Sequence, residues 1–154
     1  MSLKNYFGVF VASAALMIAG CASTTPGGTA PVGTAPAAVV VTEVPTLKVA
    51  VDCGKCEVKP TIPGLIVEGY NEAAAKAGHK VSATKEANLV IKEYTARNDA
   101  ARFLAGALAG KDEIKAVITY QGKTHAVEDY YRNAWLGIDV LAKKIGEMTH
   151  AQIK

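Results

Sequence analysis

Apolar residues recur along residues 46–154 with two different periods, and each period predicts an element. In "LKVAVD", Leu47, Val49 and Val51 alternate with Lys48, Ala50 and Asp52. Alternation of this kind marks a strand with one buried face. Ile62, Leu65, Ile66, Tyr70, Ala73, Ala74 and Ala77 then follow at spacings of three and four, the signature of one helix face. Thr61 is placed to cap that helix and Gly78 to stop it. "HKVSAT" and "NLVIKEYTA" predict two further strands, separated by Lys85, Glu86 and Ala87. "EIKAVITY" and "KTHAVE" flank Gln121-Gly122 and predict a hairpin. Tyr131, Trp135, Ile138, Ala142 and Ile145 form a last helical stripe, widened by Leu141 and Met148.

The predicted order is strand, helix, strand, strand, irregular segment, strand, strand, helix. Two helices on one face of a mainly antiparallel sheet would cover it and leave the other face wet. The expected fold is therefore α+β, a two-layer sandwich. By length, residues 46–154 make one domain with a modest core.

The residues before this domain follow no such pattern. Lys4 and the amino terminus are positive, and Tyr6 to Ala19 carries no charge and is dominated by apolar side chains. This is the layout of an export signal, and it is shorter than the roughly 20 apolar residues of a membrane span. Ile18-Ala19-Gly20-Cys21 resembles the lipobox of bacterial lipoproteins. The resemblance implies removal of residues 1–20 and lipidation of Cys21 on its thiol and its new amino group. Anchoring by more than one acyl chain is what makes such attachment stable. Ala22 after the cysteine, by the same resemblance, implies delivery to the outer membrane, with the domain facing the periplasm.

Residues 22–45, "ASTTPGGTAPVGTAPAAVVVTEVP", hold four prolines, three glycines and the single charge of Glu43. Proline and glycine oppose both helix and sheet. Together with Cys21, the segment reads as a flexible linker with a reach of roughly 27 Å as a coil. "AVVVTEV" within it carries enough β-branched residues to add a strand.

Charge narrows the partners. Loss of Lys4 with the leader leaves 16 Lys and Arg against 14 Asp and Glu. There is no dense basic stripe, so nucleic acid is not an expected partner. The chain also has no Gly-x-Ser-x-Gly, phosphate-binding glycine loop or His-Glu-x-x-His. In outline, the element order and "EANLVIKEY" after a short strand are similar to small periplasmic lipoprotein domains, including the amino-terminal domain of TolB. That likeness implies an assembly or accessory factor, not an enzyme.

Two cysteines remain, Cys53 and Cys56 in "DCGKC". A Cys-x-x-Cys pair can form a disulfide, a redox centre or half a metal site. In an oxidising compartment disulfides persist, which makes a structural disulfide the expectation. The redox alternative has a strand before the pair and a proline after it, as in thioredoxin-like folds. Against it, Pro60, Pro63 and Gly64 delay the helix, and no proline beyond Pro63 exists to stand opposite the cysteines. For metal, His79, His125 and His150 have no ligand-like spacing, and zinc needs four convergent ligands. No metal or cofactor is expected beyond the lipid on Cys21.

The irregular segment "RNDAARFLAGALAGKDE" contains Phe103, Leu104 and Leu108 among small residues, with a Gly-x-x-x-Gly at Gly106 and Gly110. The simplest reading is a short helix or loop folded over the sheet edge; an exposed apolar patch there would instead mark a contact for a partner or the lipid surface. "HAVEDYYRNAW" places Glu128 and Asp129 at the expected start of the last helix, where negative charge is favoured. Its aromatic residues are expected to pack in the core and at an interface.

The leader reading has a direct check. Mass spectrometry of the mature protein should find residues 1–20 gone and Cys21 carrying acyl chains; a free thiol at Cys21 or an intact leader refutes it.

Overall fold

The structure is a computed structural model that describes residues 42–105, 108 and 110–154, and the side chains of these except residues 101 and 102. The expected leader, Cys21 and residues 22–41 of the expected linker lie outside the described residues, as does Gly106.

Four strands form one mixed sheet in the order β1-β2-β3-β4: β1 (Glu43–Val51), β2 (Lys80–Thr95), β3 (Asp112–Tyr120) and β4 (Lys123–Tyr131). β1 and β2 are parallel, and the other two pairings are antiparallel. Two long helices, α1 (Ile62–Lys76) and α3 (Ile138–Ile153), cover one face. A short helix, α2 (Asp99–Ala105), falls within the segment expected to be irregular. The class is thus the expected α+β sandwich, with a third helix added.

Three local expectations change. β1 begins at Glu43, so Glu43, Val44 and Pro45 belong to the sheet and not to the linker; Val44 and Pro45 are buried. The two strands expected on either side of Lys85, Glu86 and Ala87 are one continuous β2. A bulge makes this work: β1 advances from Val44 to Thr46 while β2 advances from Val81 to Glu86. The extra residues loop out of register, the Thr46 hydroxyl donates to the Ser82 carbonyl at 2.5 Å, and Ala87 returns to the core. An inserted residue of this kind bends a strand without ending it. The third change is at the last helix, which starts at Ile138. Tyr131 pairs with Asp112 as the last residue of β4, and the Asn133 side chain accepts the Trp135 and Leu136 amides at 3.1 and 2.6 Å. That turn uses the amides a helix would need. Glu128 and Asp129 accordingly lie on β4, and the acidic residue in the first turn of α3 is Asp139.

The core is aliphatic. Leu89, Ile91, Ile114 and Ile118 from the sheet meet Ile62, Ile66, Tyr70, Leu141 and Ile145 from the helices. The Gln121-Gly122 hairpin forms as expected, both residues with positive φ (50° and 75°), the geometry that matches the twist of paired strands.

α1 packs on β1 and β2, α3 on β3 and β4, and the helices pack on each other. They approach closely at two glycines. A Cβ on Gly69 would collide with the Lys143 carbonyl, and one on Gly146 with the Ile66 carbonyl. Backbone against backbone leaves nothing to rotate aside, so each glycine is a steric requirement. Gly69→Ala and Gly146→Ala should each lower stability by roughly 1–3 kcal/mol or more in urea denaturation. Gly64→Ala, whose Cβ would meet nothing within 4 Å, should be neutral or gain up to about 1 kcal/mol.

Candidate interaction surface

The register divides the sheet into two ends. Glu43, Lys80 and the 121–122 hairpin lie at one, together with the carboxyl end of α3. At the other lie Val51, Thr95, Asp112, Tyr131 and the amino ends of α1 and α3. Nine-residue strands separate the ends by roughly 25–30 Å. The chain therefore enters the sheet at one end, and its three longest connections, residues 52–61, 96–111 and 132–137, all leave from the other.

A buried ion pair organises that second end. Asp112 is fully buried and the Arg97 side chain is 2% exposed. The Asp112 carboxylate accepts the Arg97 amide at 2.7 Å and its guanidinium at 2.9 and 3.2 Å. The same guanidinium donates to the Arg132 and Asn133 carbonyls at 3.1 and 2.8 Å. One arginine thus joins the end of β2, the start of β3 and the loop after β4. Five donors in a planar fork suit this task, and lysine could not repeat it.

Two apolar segments project from the clamp. α2 opens on Asn98, whose side chain accepts the Ala100 amide at 2.8 Å. It carries Phe103 and Leu104, 67% and 89% exposed, with Leu108 beyond it at 93%. The loop after β4 holds Trp135 at 84% exposure, outside the core and ahead of the helix expected to carry it in its stripe. Tyr130, half exposed on β4, has the Lys111 and Arg132 cations each 5.5 Å from its ring centre. Of the residues singled out from sequence, Phe103, Leu104 and Leu108 are exposed, and Trp135 shares their end of the sheet. Asn-x-Trp-Leu-Gly after a strand was the missed signal, since an Asx turn before glycine keeps a tryptophan out of a helix.

Cys53 and Cys56 lie at this end too. They form a disulfide with Cα atoms 5.6 Å apart, and Gly54 at φ 65° closes the loop. α1 begins six residues after Cys56, so neither cysteine sits at its amino end. No group of three or more His, Cys, Asp or Glu side chains suited to a metal occurs among the described residues. No helix among them is long and apolar enough to cross a membrane. His125 is exposed on β4, whereas His79 and His150, which sequence spacing keeps apart, meet at the opposite end of the sheet.

No protein family matches the chain, and neither does any curated protein. Among solved structures, the chain is similar to a ribosomal subunit interface protein from Coxiella burnetii. The identity is 10% and the TM-score 0.32, over 69% of this chain and 93% of that one. A likeness at that level carries no argument about function.

Asp112→Asn should cost about 3–5 kcal/mol in urea denaturation, because it leaves the Arg97 guanidinium buried beside a neutral amide. Glu86→Gln, which breaks the exposed Lys48–Glu86 pair, should cost under about 1 kcal/mol.

Proposed function

We propose that this protein is a lipid-anchored lipoprotein of the cell outer membrane, facing the periplasm, that binds or assembles with another envelope protein and catalyses no reaction. Cys21 holds it at the membrane, and the linker sets its reach. The observation that carries the binding role is the exposure of Phe103, Leu104, Leu108 and Trp135 on two segments whose bases share one buried arginine. Large apolar side chains exposed on a scaffold held this firmly suit a contact surface, and tryptophan is among the residues that dominate binding energy when an interface covers it. The patch lies at the far end of the sheet from Glu43, the first residue of β1. The lipid serves as the only attached group in this reading, and nucleic acid has no part in it.

The disulfide has a supporting role here. A closed loop of this size adds roughly 2 kcal/mol by restricting the unfolded chain. The alternative use of Cys53 and Cys56, as a membrane-tethered thiol–disulfide or metal-binding pair, makes the opposite prediction for a variant with both replaced by serine. Partner capture should survive in that variant, apart from lost stability.

Crosslinking in intact envelopes should recover a specific protein neighbour of the wild type. Trp135→Ala and Leu104→Asp should weaken that capture, by about 30-fold in affinity where the residue is a hot spot. Their stability should stay within about 0.5 kcal/mol of wild type, since both side chains are exposed. Capture that depends on Cys53 and Cys56 but not on Trp135 and Leu104 would overturn the reading.

A further inference from the structure

We propose that His79 and His150 form an acid-released latch that ties the last turn of α3 to the turn between α1 and β2. The His79 Nδ1 and His150 Nε2 atoms are 2.9 Å apart, at a sequence separation of 71. Their ring centres are 5.1 Å apart, and the edge of the Tyr70 ring meets His150 at 5.8 Å. His150 is buried, 5% exposed, in the last turn of its helix.

The chemistry of the pair sets the direction. With His150 neutral, one ring nitrogen donates and the other accepts. A protonated His150 has no ring nitrogen left to accept with, so the bond then depends on His79 as acceptor; two cationic rings would set donor against donor and charge against charge, and the bond would be lost. The surroundings favour the neutral ring. Burial lowers the affinity of His150 for a proton below the ordinary histidine value, and His79 and Lys154 lower it further. The charged and titratable groups around it are Tyr70 and Lys76 from α1, His79 from the turn, and Glu147 and Lys154 from α3. Lys76 and Glu147 face each other at 3.9 Å. β1 enters through its backbone, where the Pro45 carbonyl accepts the Tyr70 hydroxyl at 2.6 Å. Burial pushes the Tyr70 phenol up to about 12, with a smaller push from Tyr120, so it remains a donor when His150 titrates.

A histidine whose folded value lies below its unfolded one favours folding while it is neutral. Its contribution is complete above the unfolded value of about 6.5 and falls away as pH drops through the folded one. The loss is local. The latch holds residues 148–154 near the start of β1, where Thr42 accepts the Lys80 amide at 3.0 Å. Acid therefore loosens the end of the sheet at which the chain enters and leaves the Arg97 end closed.

The test follows histidine ring signals and amide-hydrogen protection by NMR in the mature full chain, from about pH 7.5 to 5. His150 should titrate below the ordinary histidine value, and His79→Asn should raise its midpoint. Protection factors of residues 148–153 should fall severalfold on acidification while those of 112–118 hold. His150→Gln should remove that response, and if it fails to fold, the His79→Asn titration decides alone. A midpoint at or above the ordinary value would overturn the proposal, as would one that His79→Asn leaves unmoved. Equal loosening at residues 112–118 would replace the latch with global acid unfolding. Metal-dependent loss of both ring signals on adding zinc would assign the pair to coordination instead.

Discussion

The arrangement of the free end rests on one buried charge pair. Asp112 and Arg97 are both removed from water, and a buried charge left without its partner is costly. The carboxylate accepts from Arg97 through backbone and side chain together, and the same guanidinium also donates to the Arg132 and Asn133 carbonyls. Those contacts fix where the 96–111 segment and the 132–137 loop begin. Exposed apolar side chains on unheld loops would be free to fold inward. Here the loop bases are fixed, and the turn at Asn133 carries Trp135 outward.

The opposite constraint lies in the helix layer. α1 and α3 run the same way along the sheet, and their contact at Gly69 and Gly146 is set by backbone atoms. Close approach of the helices lets the aliphatic side chains on either side of the glycines reach the sheet and fill the core. It also carries the last turn of α3 to the turn before β2, where His150 meets His79. The two ends of the molecule thus have different chemistry: one is closed by an ion pair and presents apolar side chains, the other is closed by two imidazoles and receives the chain.

The cysteines divide along similar lines. Cys53 and Cys56 are close in sequence and close in space, and the loop between them needs only Gly54 in a left-handed conformation to shut. Their place at the same end of the sheet as the apolar segments comes from the parallel pairing of β1 with β2, which carries Val51 to Ile91 in the last part of β2.

What residues near one another in the chain decide was legible from the sequence. Period-two and period-3.6 patterns gave the α+β class, the span of α1 and the hairpin at Gln121-Gly122, and the short spacing of Cys53 and Cys56 in a chain read as exported gave their pairing, because each depends on residues close in sequence. Sequence also placed Phe103, Leu104 and Leu108 as an apolar segment between strands. The close contact at Gly69 and Gly146 had no such local mark, since 76 residues lie between them. It divided β2 in two, because a bulge against β1 has no signature within β2 alone. Arg97 with Asp112 and His79 with His150 went unseen for the same reason. A pairing across a fold depends on which elements become neighbours, and that is settled when the helices and sheet close on one core.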